Sequence, residues 1–74
     1  MMEENNEFEV EKEYSVKETV AKLRRLADCL ENGDAFEIQV DGNRIYMPAD
    51  VEMSIEYENE GDEHELEFQF VWES

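Results

Sequence analysis

Basic residues are scarce in this chain: six Lys and Arg stand against 22 Asp and Glu, for a formal net charge of −16. A polyanion of this kind repels nucleic-acid phosphates and anionic membrane surfaces, so neither is an expected partner. Cysteine occurs once, at Cys29, which excludes an intramolecular disulfide and every multi-cysteine zinc motif. Histidine also occurs once, at His64. No apolar run approaches the roughly 20 residues a membrane span needs. The opening "MMEENNEFEVEKEY" is acidic and polar where a secretory signal would be basic and then apolar. A cytoplasmic location is the expectation. The three glycines fall in turns or caps, which leaves no glycine-rich phosphate loop.

What remains is enough to fold. Apolar residues make up 41% of the 74 residues and aromatics 11%. That supplies one core and one domain, expected over residues 7–74, behind a disordered polar tail at 1–6. "EFEVEKEY" alternates, with Phe8, Val10 and Tyr14 on one side and Glu7, Glu9, Glu11 and Glu13 on the other. This is the pattern of a half-buried strand, and Lys12 on its apolar side suits a sheet edge.

The segment "SVKETVAKLRRLADCLENG" carries the signals of a helix over Val16–Asn32. Ser15 and Glu18 form a capping box at its start. Val16, Val20, Leu23, Ala27 and Leu30 share one face at three- and four-residue spacing, with Leu26 beside them. Gly33 supplies a left-handed residue at its end. Lys17, Lys22, Arg24 and Arg25 are expected on the opposite, solvated face.

Two hairpins follow. In "AFEIQVDGNRIYMP" the Asp-Gly pair predicts a two-residue turn, which sets Ile38 opposite Ile45 and Phe36 opposite Met47. Pro48 should end the second strand, because it has no amide to donate. In "ADVEMSIEYENEGDEHELEFQFVWES" both strands alternate. With "NEGD" as the loop, Ile55 faces Leu66, Met53 faces Phe68, Val51 faces Phe70 and His64 faces Tyr57. Trp72 then lies opposite Ala49, sealing the open end of the core. The expected architecture is a two-layer α+β domain, one helix packed on a mostly antiparallel five-stranded sheet in the order β-α-β-β-β-β. Leu66, Phe68 and Phe70 are its core residues under the helix.

The outer face of the long hairpin is acidic. The same register sets Glu56 opposite Glu65 and Glu58 opposite Glu63, with Glu52 and Glu67 nearby. Such pairs are destabilising, so mild acid and added salt should both stabilise the fold. A flat row of carboxylates does not converge as calcium or magnesium coordination requires. Catalysis by a Cys-His pair has little support, since nothing in the pattern brings His64 to Cys29 and an acid, Asp28, flanks the thiol. No cofactor, metal ligand or catalytic residue is implied.

From about Tyr14 to Trp72, the helix with its Leu23–Asp28 "LRRLAD" and the final amphipathic strand ending on Trp72 resemble the Amphi-Trp domain family. These are small acidic domains of archaea and bacteria whose function is uncharacterised, so the resemblance implies no activity and transfers no catalytic residue. Phe68 and Phe70 stand where smaller aliphatics are common in such strands. The leading expectation is a non-enzymatic protein-interaction module, with Trp72, Glu56, Glu58, Glu63, Glu65 and Glu67 as its surface. Its partner would be another protein or a second copy joined by a sheet edge. The alternative is a weakly divalent-cation-responsive protein using the acidic sheet face.

Overall fold

A computed structural model describes residues 7–73; the tail expected at 1–6 lies outside the described residues. The chain runs α1 (Val16–Asn32), β1 (Phe36–Val40), β2 (Asn43–Met47), β3 (Glu52–Glu60) and β4 (Glu63–Val71). The helix begins and ends where its caps require. The Ser15 hydroxyl accepts from the Glu18 amide at 3.1 Å, and the Glu18 carboxylate accepts from the Ser15 amide at 3.2 Å. At the other end Gly33 adopts φ 72°. Its amide donates to the Leu30 carbonyl, and the Asp34 amide to that of Cys29. This is a Schellman closure, which satisfies two carbonyls the last turn would leave free.

The first hairpin keeps the register its sequence predicts, with Phe36 opposite Met47 and Ile38 opposite Ile45. Asp41 and Gly42 both have positive φ, 50° and 80°, as a type I′ turn demands. Phe36 and Met47 are buried, each 5% exposed, facing each other across the hairpin, and α1 packs against β1. Arg25 fastens the two elements. Its guanidinium donates to the Glu37 carbonyl at 2.9 Å and lies 4.8 Å from the Phe36 ring centroid. Lys17, Arg24 and Arg25 are exposed, as expected of solvated cations, Arg25 while making these contacts. The expectation fails at Lys22, which is half-buried and sits 4.7 Å over the Tyr14 ring. Long basic side chains lay their stems on apolar and aromatic surface whenever it lies within reach.

The five-stranded sheet is not formed. Among the described residues there are two separate two-stranded antiparallel sheets, β1–β2 and β3–β4, and residues 7–15 make no strand. Tyr14 is instead held beside the first hairpin, its hydroxyl donating to the Gln39 carbonyl at 3.3 Å. Lys12 and Lys22 flank its ring. A strand here would also bring Glu7, Glu9, Glu11 and Glu13 alongside acid-bearing strands, where like charges oppose pairing. Because the two hairpins do not pair with each other, they offer the helix no common sheet face.

The long hairpin differs in register. Its loop is Gly61–Asp62 alone, so Glu60 faces Glu63, Ile55 faces Phe68, Met53 faces Phe70 and Tyr57 faces Leu66. Against the "NEGD" loop this is a shift of two residues, which moves every partner but keeps every side chain on its face. Gly61 at φ 60° supplies the first position of a two-residue II′-type turn. Such a turn matches the twist of the strands better than a four-residue loop does. Leu66 and Phe68, expected in the core, are 65% and 62% exposed, and Phe70 is half-buried.

Candidate interaction surface

β3 and β4 form a ribbon whose two sides differ in chemistry. One side carries Met53, Ile55 and Tyr57 from β3 and Leu66, Phe68 and Phe70 from β4, as the pairing and the alternation of side chains dictate. Five of these six are between 59% and 65% exposed, so the apolar side is open. Leu30, at the end of α1, borders it across an open groove of about 380 Å³ lined by Met53, Ile55, Phe68 and Phe70. At the turn end of the same side, Asn59 faces His64. The Tyr57 hydroxyl and the Asn59 amide nitrogen lie 2.6 and 2.9 Å from His64 Nδ1. The Tyr57 and His64 rings stack at 5.9 Å.

The other side is a carboxylate ladder. Glu56 faces Glu67, Glu58 faces Glu65 and Glu60 faces Glu63. The expected surface residues Glu56, Glu58, Glu63, Glu65 and Glu67 thus share one side, though with different partners from those the longer loop implied. Repulsion from Glu65, with some desolvation and the neighbouring Glu56 and Glu58, holds the Glu67 carboxyl above the ordinary glutamate value. Glu18 shows the reverse: hydrogen bonds from Ser15 hold its carboxyl below that value, aided by Lys12 and Lys22. Gln69 Nε2 donates to Glu56 Oε1 across the strands at 3.0 Å.

Trp72 stands apart from the ladder, just beyond β4. It is half-buried and lines a shallow open cleft with Asp50, Val51 and Val71. The shifted register brings Trp72 level with Val51, not with Ala49. Cys29 is half-buried on α1, whereas His64 is engaged at the ribbon tip. Among the described residues no group of three or more His, Cys, Asp or Glu is placed to hold a metal ion. No helix among them is long and apolar enough to cross a membrane.

The longer-loop reading brought His64 to Tyr57 but missed the Glu60–Glu63 rung and the place of Asn59 opposite His64. Both follow once Gly61-Asp62 is recognised as a two-residue turn, a dipeptide signal present in the sequence. No curated protein and no solved structure matches the chain. Compared with protein-family models, the chain matches the Amphi-Trp domain over residues 1–74. With its helix, its amphipathic final strand and the Trp that follows, the protein belongs to the Amphi-Trp domain family.

Proposed function

We propose that this protein is a non-enzymatic protein-interaction module, cytoplasmic in setting, that presents the β3–β4 ribbon to a protein partner. One observation carries the reading: five large apolar side chains on one ribbon side are each about three-fifths exposed. Exposed contiguous apolar surface on this scale marks a binding face. A partner lies on that face, where the apolar side chains stand on the side of the ribbon opposite the carboxylate ladder. Nucleic acid and anionic membranes are poor candidates for the same electrostatic reason. The separate settings of Cys29 and His64 support the absence of a nucleophile–base pair.

The test is a pull-down from native cytoplasm with wild-type bait and with bait carrying Ile55→Thr and Phe68→Thr. Threonine keeps strand propensity while removing the apolar surface. A protein retained by the wild type and lost with the variant, a second copy included, is the expected result. Identical retention by both baits, or none by either, overturns the reading.

A second reading is a weak response to divalent cations at the acidic ribbon side, favoured by three directly opposed glutamate pairs. Calcium titration followed by amide shifts distinguishes the two. Saturating shifts confined to residues 56–67 would favour the cation reading over the interaction reading.

A further inference from the structure

The ribbon is not the only uncovered apolar surface. On α1, Val16, Val20 and Leu23 are 80%, 40% and 54% exposed, and they lie on one helix face. The two surfaces differ in charge. The helix holds four of the six Lys and Arg of the chain beside only three acids, Glu18, Asp28 and Glu31, whereas residues 52–71 hold eight acids and neither Lys nor Arg. From this pairing we infer that the occupant of the ribbon is a second copy of the same chain. The N-terminal half of α1 from each protomer lies on the apolar side of its partner's ribbon, reciprocally, about a two-fold axis. This inference rests on the interaction reading and names its partner.

Three physical arguments favour this occupant. The first is area. From their exposed fractions, the five ribbon side chains and three helix side chains leave on the order of 900 Å² uncovered per copy, so two reciprocal contacts can exceed the ~1,000 Å² a specific interface needs. The second is width. A helix with its side chains is about 10–12 Å across, and two paired strands lie only about 4.8 Å apart. A helix on the ribbon therefore overhangs both edges. Its flanking Lys17 and Arg24 can reach round to carboxylates that point the other way, as long stems allow. The third is stability. A two-stranded hairpin without cover is marginal in water, and these strands run to nine residues each. Within one protomer α1 meets β1, and Leu30 at its far end borders the ribbon.

Reciprocal docking has a signature that other occupants lack. One variant, Ile55→Thr with Phe68→Thr, spoils the ribbon. A second, Val20→Gln with Leu23→Gln, spoils the helix stripe without changing charge. The side chains removed are 40–64% exposed, and circular dichroism checks that each variant keeps its helix. In sedimentation equilibrium at micromolar to millimolar concentration, the wild type is expected to be a dimer and each variant alone at least tenfold weaker. An equimolar mixture should recover association, because the intact helix of the first variant fits the intact ribbon of the second. A wild-type monomer throughout overturns the inference but leaves the interaction reading standing if the pull-down retains a different protein. Undiminished dimers of the helix variant also overturn it, since they would mean ribbon-to-ribbon packing. No recovery on mixing does the same.

Discussion

Two glutamates show how position alone sets opposite roles for one residue type. Glu18, 4.5 in ordinary surroundings, is held lower by its Ser15 bonds. Its contribution is present above the unfolded value and is lost as pH falls below it. Glu67 is raised by Glu65 and its other neighbours, so the folded protein takes up a proton there before the unfolded chain does. Its ionised form opposes folding at neutral pH, and that opposition is relieved as pH falls toward 4.5. The melting temperature should accordingly rise on mild acidification, then fall once the Glu18 cap is protonated. Glu67→Gln should raise the melting temperature at pH 7 and flatten the acid-side rise. Thermal melts of both proteins between pH 7 and pH 4 check this, and an unchanged profile in the variant would reject the assignment to Glu67.

At the scale of elements, the ladder on β3–β4 keeps three like-charged pairs face to face. Glu58→Lys turns the rung with Glu65 into an opposite-charge pair and should stabilise the protein by about 0.5–1 kcal/mol. The gain is read as a shift in the urea midpoint with unchanged slope. Under the longer-loop register the same lysine would face Glu63, so a double variant with Glu65→Gln separates the two pairings. Loss of most of the gain is expected in that background, and full retention would restore the longer loop.

How far these elements can be read from the sequence depends on how locally each is specified. The helix bounds follow from Ser15, Glu18 and Gly33, each acting within one turn, and they hold to the residue. The first hairpin is fixed by Asp41-Gly42, whose positive φ admits few alternatives. The second hairpin allows two registers that differ by two residues, because alternation is blind to even shifts. Only the turn chooses between them. The N-terminal strand fails because its alternation states a preference without a partner, and Tyr14 is drawn to Gln39 and Lys22 instead. The acidic set Glu56, Glu58, Glu63, Glu65 and Glu67 is legible as one side. Alternation alone cannot reveal that the apolar side opposite it lacks a cover.

For the molecule as a whole, charge and shape act together. A net charge of −16 on 74 residues concentrates repulsion in the folded state, where the carboxylates stand closer than in the unfolded chain. Raising salt from about 0.05 M to 0.5 M shortens the Debye length from roughly 14 to 4 Å. The melting temperature at pH 7 should rise over that range. A fall would mean that attractive pairs, such as Arg44 with Glu37 at 3.4 Å, outweigh the ladder.

Time enters through the turn at Gly61–Asp62. With two residues in the loop, the ribbon zips outward from Glu60 and Glu63 on the microsecond scale of hairpins. Ribosomes add about 5–20 residues per second, so closure takes far less time than the addition of one residue. The helix and the first hairpin precede the ribbon in the chain and are built from neighbours in sequence. A newly made chain thus reaches its local structure with little search between distant segments. If two copies then exchange helices, their meeting is the slow step, and its rate follows how much of the protein the cell contains.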